Sequence, residues 1–407
     1  MTTTAPLPVT TAPAPPRLRY GALLTMTAMS FLLVTAEFLP GGVLTEIARD
    51  VGVTTGQAGL MVAVTALAGL VVAPTVGLMF PRLDRRSLLV WMAIAATVSN
   101  AIVAIAPNLP LLLAGRVLLG GALSAFWAMS ITVASKIGGP DRLGKAVMFT
   151  TAGGSLATVA GVPVGVMLSE VVGWQGVFGL AAVATALLAV ALRVLLPQVP
   201  SEGSASLRPL VGTLRLPGIG LGFVGHMLVV LGHFLAYTYI RVALERVQDG
   251  GHPIDAGLII ALLAAFGIGG LAGNFLIGLI VDRAYAVLAV VTPVVVAASA
   301  IVLIAASGSP VLVGVASFVW GFFFASWLLI VNTWVGKRMP DRLEAGGSIS
   351  VVGFQAAIMI AAAIGGMLVD GLGIVPVYVV GAASLVVGAV LFGLSDRAAA
   401  RAVIRVC

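Results

Sequence analysis

Apolar runs of helix-spanning length recur from one end of this chain to the other, separated by short polar breaks, and no other feature restricts the fold as tightly. Crossing a bilayer core takes about 20 helical residues, and inside it every backbone donor and acceptor must be paired within the protein. Ten-residue alternating segments of the barrel kind are missing, so the crossings read as helices. Twelve are expected, near residues 20–43, 57–80, 87–106, 109–135, 146–168, 175–196, 217–241, 256–281, 286–306, 310–334, 346–369 and 374–394. A 407-residue chain that is 60% hydrophobic and 9% charged could not cover a water-soluble fold with polar surface. The expected class is an all-α, multi-pass membrane protein.

The formal charge of +7 raises the possibility of a nucleic-acid partner, but its placement points to membrane topology instead. Once the twelve crossings are laid down, nearly all Lys and Arg fall on the side that carries both termini, and only Arg49, Arg241 and Arg246 fall on the other. Under the positive-inside rule both termini are then cytoplasmic. Residues 1–19, rich in Thr, Pro and Ala, read as a disordered tail without the basic start of a signal peptide, and residues 395–407 as a second tail. The single cysteine, Cys407, excludes an intrachain disulfide.

The longest break, PQVPSEGSASLRPLVGTLRLP, contributes a cytoplasmic linker at 197–216 and divides the helices into bundles at 20–196 and 217–394. At an offset of 200, Gly121, Ala125 and Trp127 match Gly321, Ala325 and Trp327. Pro140, Asp141, Arg142 and Leu143 match Pro340, Asp341, Arg342 and Leu343 in the same register, as do Gly153, Gly165, Met167, Leu168 and Gly173 with Gly353, Gly365, Met367, Leu368 and Gly373. Pro-Asp-Arg-Leu is not a word that membrane composition favours, so the match indicates duplication into two pseudo-symmetric six-helix bundles. Parallel repeats of this kind occur in transporters that rock around a central site.

Two charges lie inside apolar crossings. Glu37 in the first costs on the order of 3 kcal/mol if it faces lipid, which points it at a protein or water-lined interior. Arg116 in the fourth lies roughly 10 Å below the start of its helix, by rise per residue, and Glu37 at a similar depth. An ion pair is expected, acting either as a proton-sensitive switch or as a permanent interhelix clamp. Ser30 shares the Glu37 face, and Pro40 bends the helix above it. Glu46, Arg49 and Asp50 in the following loop read as solvated surface charges.

The loop after the second crossing, GLMFPRLDRRS, resembles the corresponding loop of the major facilitator superfamily, with Gly77, Arg82, Arg85 and Arg86 at matching places. Pro81 replaces the family's acid and Asp84 its inner glycine, while GLIVDRA in the second half keeps Gly278, Asp282 and Arg283. The resemblance gives these residues a gating role; the arginines equally suit anchoring at inner headgroups. Arg116 followed by Gly120 resembles the family's helix 4 motif. Gly161, Pro163 and Gly165 resemble the helix 5 motif of its antiporters, where small residues also allow close helix approach. TAEFLPGG, IARDVGV and the variant loop together are similar to the drug:proton antiporter branch that includes bacterial sugar-efflux and chloramphenicol-resistance permeases. That likeness implies proton-coupled efflux of a small amphipathic drug, antibiotic or sugar-like metabolite. Preference for Arg over Lys, with much Ala, Val and Gly, suits a GC-rich bacterial genome, and the expected location is the cell inner membrane.

Candidate cavity residues are Ser30, Trp127, His226, His233, Tyr237, Phe266, Asn274, Trp327, Asn332 and Gln355. Apolar walls with few polar anchors suit a small amphipathic ligand better than a multiply charged one. His226 and His233 either relay protons or simply hydrogen-bond a neighbouring helix. No metal or cofactor is expected, because no ligand-spaced carboxylates or cysteines accompany the histidines. Walker, HExxH and Gly-x-Ser-x-Gly motifs are absent, so an enzyme or ATP-driven pump lacks support. The expected protein is a monomeric exporter in the lipid bilayer. A nutrient importer and a transport-dead membrane sensor are the alternatives.

Overall fold

The computed structural model describes residues 19–138, 143–200 and 208–404. Most of the N-terminal tail, the Pro140-Asp141-Arg142 loop, part of the linker and Cys407 lie outside them. The helices are α1 (Tyr20–Gly42), α2 (Leu44–Val51), α3 (Thr55–Met79), α4 (Arg85–Ile105), α5 (Leu109–Gly138), α6 (Leu143–Leu156), α7 (Val162–Leu195), α8 (Arg208–Leu214), α9 (Ile219–Thr238) and α10 (Ile240–Leu244). They continue with α11 (Ala256–Gly278), α12 (Val281–Ala305), α13 (Pro310–Phe324), α14 (Trp327–Arg338), α15 (Leu343–Leu372) and α16 (Ile374–Ile404). A π-helical turn, Ala157–Gly161, links α6 to α7, and the only strands among the described residues pair Gln248–Asp249 with His252–Pro253.

Among the described residues, eleven apolar helical stretches are long enough to cross a membrane, one of them the 47-residue run Phe149–Leu195. At 1.5 Å per residue that run is about 70 Å long, more than twice a hydrocarbon core. It breaks at Gly173, where φ is 72° and ψ 160°, so it makes two crossings and the total is twelve. Gly373 separates α15 from α16 with φ 81°. The two reversals are 200 residues apart, at matched positions, and each uses a backbone region that L side chains disfavour. The tenth crossing differs from its counterpart: α5 is continuous, whereas α13 and α14 are separated at Ala325 and Ser326.

The repeat extends to individual contacts. Ser30 Oγ donates to the Thr150 carbonyl at 2.7 Å, and His226 Nε2 donates to the Ser350 carbonyl, 200 residues later, at 3.1 Å. A methyl on Gly153 would collide with Ser30, and one on Gly353 would press on Met227 and His226. The same glycine thus admits the same neighbouring helix in each half. Large apolar side chains such as Val171, Leu187 and Val194 are exposed on the outside, as a lipid-facing surface requires. Helix α16 runs past residue 394 to Ile404; near its end Ser395 donates to the Gly218 carbonyl and Asp396 accepts from Arg338 and Tyr285.

Candidate functional site

Pro40 in α1 has no amide hydrogen, which leaves the carbonyl four residues earlier, that of Ala36, without its helical donor. Arg116 of α5 supplies the missing donor. Its Nη1 donates to Ala36 O at 2.7 Å, its Nη2 to Glu37 O at 3.1 Å and its Nε to Met61 O in α3 at 3.3 Å. The fully buried guanidinium therefore joins three helices through main-chain carbonyls. The sequence places Glu37 and Arg116 at one depth, and the structure brings their helices together there. The Glu37 carboxylate, on a residue only 6% exposed, makes no hydrogen bond or ion pair among the described residues. A buried carboxylate that has no direct partner, and whose charge the nearby Arg116 offsets only through space, is expensive unless it can take up a proton or a ligand.

Beside Glu37 an aromatic cluster bridges the halves. Phe38 stacks on Phe234 at 5.7 Å and meets Tyr237 edge-on at 6.0 Å. Tyr237 lies 4.9 Å from Phe266, and Phe234 lies 5.6 Å from Phe354. His233 stacks against Phe324 and accepts from Trp320 Nε1 at 2.9 Å, while His226 accepts from Trp327 Nε1 at 3.0 Å. Because His226 Nε2 donates to a carbonyl and Nδ1 accepts from an indole, both ring nitrogens are committed to interhelix bonds.

Other candidates are dispersed. Gln355 is 7% exposed with an unpartnered Nε2, Trp127 sits half-buried over Gly154, and Asn274 is half-buried. Asn332 is exposed. Gly161 faces Thr35 and Gly165 faces Leu39, holding the π-helical turn and α7 against α1, with Pro163 in the first turn of α7. Gly77 is buried near the end of α3; in the loop that follows Arg82 is exposed, and Asp84 caps α4 through Ser87 N at 3.1 Å and also accepts from Val199 N at 2.7 Å. Arg85 N donates to Val199 O, so the substituted aspartate fastens the linker to this loop, with Arg86 near it. Gly278 ends α11 and Arg283 is exposed; the side chain of Asp282 lies outside the described residues.

Sequence reasoning missed a latch. At the end opposite Tyr20, Arg241 pairs with Glu46 of the other half at 2.7 Å and with Glu245 at 2.9 Å, and Thr45 donates to Glu245 at 2.8 Å. Asp370 accepts from Thr54 Oγ1 at 2.5 Å and from Gly56 N at 2.9 Å, at the capped start of α3. Thr45 and Glu245 stand 200 residues apart, so the repeat offset was the signal: matched positions near a pseudo-twofold axis meet each other. At the end near Tyr20, by contrast, Arg338, Asp396 and Tyr285 bond within one half.

A model described as Major Facilitator Superfamily matches residues 26–348. Over 388 residues, 94% of this chain and 95% of the relative, the sequence is 31% identical to "Transcription regulatory protein OpdE" of Pseudomonas aeruginosa. It is 32% identical over 358 residues to "Purine ribonucleoside efflux pump NepI" of Escherichia coli K12, covering 88% and 89% of the two chains. Two crystal structures of a bacterial homologue of the human lysosomal transporter Spinster share the fold. The inward-facing occupied form has a TM-score of 0.71 and the unoccupied form 0.67, each at 15% identity and covering 95% of this chain and 98% of the other.

Proposed function

Because the chain belongs to the Major Facilitator Superfamily, whose members are transporters and not enzymes, we propose that it exports a small amphipathic molecule in exchange for protons by rocking its two halves around a mid-membrane site. The observation that carries this reading is the Glu37 carboxylate. It is buried, has no hydrogen-bond or ion-pair partner among the described residues, and is one residue from the aromatic bridge between the halves. A proton arriving there removes a charge whose burial is costly, and that change can bias two packings of the same helices. Arg116 holds the bent helix in place while Glu37 exchanges the proton.

The relative named as a purine ribonucleoside pump, together with the aromatic cluster, favours a flat, neutral, nucleoside-like cargo. The TAEFLPGG segment supports placement in the drug:proton antiporter branch, where antibiotics and sugar-like metabolites are the alternative cargoes. The arginine-rich end near Tyr20 is assigned to the cytoplasm, the latched end to the other side, and the conformation to an inward-facing state.

Everted vesicles provide the test. An acid interior should drive labelled inosine into them with the wild type, and Glu37→Gln should abolish this drive while leaving the protein abundant in the membrane. Full drive in Glu37→Gln would refute the coupling assignment, and drive by an opposite gradient would indicate import. The name carried by the Pseudomonas relative keeps a second reading in view, a membrane sensor, for which inosine would bind without flux.

A further inference from the structure

Glycine, serine and glutamine from three helices meet where the halves touch, part-way along the third helix. On α3, Gly69 is about three and a half helical turns beyond Gly56 at the latched end; a methyl built on it would overlap both Ser124 Oγ of α5 and Gln355 Nε2 of α15. The bare backbone at Gly69 is what lets a hydroxyl from one half and an amide from the other reach the same spot. Gln355 is more than nine-tenths buried and its Nε2 has no hydrogen-bond partner; Ser124, 4% exposed, makes no side-chain hydrogen bond among the described residues. Buried polar groups in folded proteins are nearly always paired, and an unpaired donor costs stability, so one kept at an interface between moving parts calls for a functional explanation.

We infer that Gln355 and Ser124, brought together over the bare backbone of Gly69, form a cargo-binding subsite that joins the two halves through the hydrogen bonds of a neutral solute. Neither side chain is ionisable, which suits an uncharged ligand. The amide nitrogen can only donate, so the ligand presents a carbonyl oxygen or ring nitrogen to it, while Ser124 both donates and accepts. Phe354, the residue before Gln355, is half-buried in the aromatic cluster with Phe234 and His226. A planar heteroaromatic ring stacked at that rim would turn its polar edge toward Gln355. Cargo held this way touches α3, α5 and α15 together, so its arrival and departure bear on the packing of one half against the other. This assignment rests on the export reading and adds to it the site and chemical class of the cargo.

The test is equilibrium binding of labelled inosine to the purified full-length protein, which depends on neither a gradient nor direction. Gln355→Leu keeps the volume and removes the unpaired donor. It should weaken binding about tenfold, the equivalent of one lost hydrogen bond, and at the same time raise Tm, because a buried orphan is gone. Gly69→Ala should weaken binding at least as much, because a methyl there displaces both Ser124 Oγ and Gln355 Nε2, and Ser124→Ala should weaken it several-fold. A structural role for Gln355 predicts the opposite pair of results, a lower Tm with unchanged inosine affinity, and that outcome overturns the subsite. Wild-type protein that binds methyl glucoside but not inosine overturns the planar cargo class and leaves export standing. Wild-type protein that binds inosine through this subsite yet never moves it supports the subsite and refutes export.

Discussion

A proline and an arginine in different helices serve one carbonyl. Restoring the amide in Pro40→Ala would return the Ala36 carbonyl to its own helix, after which the contact from Arg116 Nη1 becomes dispensable. Arg116→Met on the wild-type background should cost about 1–3 kcal/mol for the orphaned acceptor, and less by about 1 kcal/mol on the Pro40→Ala background. Unfolding of the four proteins of this cycle in detergent measures the coupling, and additive effects would show that the two residues act independently. Arg116→Lys should not rescue, because an ammonium group is a compact point charge without the planar fork that reaches three carbonyls at once. At this scale the sequence was half legible. The depth of both charges could be counted from helix rise. The choice of main-chain carbonyls over the carboxylate could not, since it depends on how α1 bends at Pro40 and how near α3 brings Met61. His226 and His233 show the same limit: their spacing on one helix face was plain, but their indole partners lie about 90–100 residues away on α13 and α14.

Elements in this fold are set largely by where the helical run is interrupted. Gly173 and Gly373 replace whole loops, each reversing the chain through one residue at positive φ. Gly173→Ala and Gly373→Ala should each destabilise by roughly 1 kcal/mol or more, the cost of forcing an L side chain into that region. Gly371→Ala, two residues from the second reversal, inside a helix and with open space at its Cβ position, should be neutral or slightly stabilising. Thermal unfolding of the three variants checks this, and equal shifts for all three would mean that φ is not what these glycines supply. Composition and run length were enough to find every crossing, including the pair fused in one 47-residue helical stretch, because hydrophobic length counts crossings without reference to turn geometry. The break between α13 and α14 was not legible, since the matched segment in the first half, with the same Gly, Ala and Trp, is unbroken.

For the molecule as a whole, the latched end explains how two loosely similar bundles hold one conformation. Arg241, with a side chain only 8% exposed, is shared by carboxylates from both halves, and Asp370 reaches the positive start of α3 from the other bundle. Removing one partner of such a buried pair leaves the other uncompensated, which makes the latch a point where few substitutions can change the balance between states. Loop charges such as Glu46 look solvated in sequence because nothing local marks them as facing a partner; only the repeat offset does so. If the halves must part here during each cycle, a reversible covalent tie should stop transport without removing the site. In a Cys407→Ser background, Thr54→Cys paired with Asp370→Cys places two thiols where a hydroxyl and a carboxylate now touch. Oxidation should bring inosine flux to background while inosine still binds, and reduction should restore the flux. Each single-cysteine protein should transport whether oxidised or reduced. Undiminished flux through the crosslinked protein would mean that this end stays closed throughout the cycle, and rocking of the two halves would have to be abandoned as the way cargo crosses the membrane.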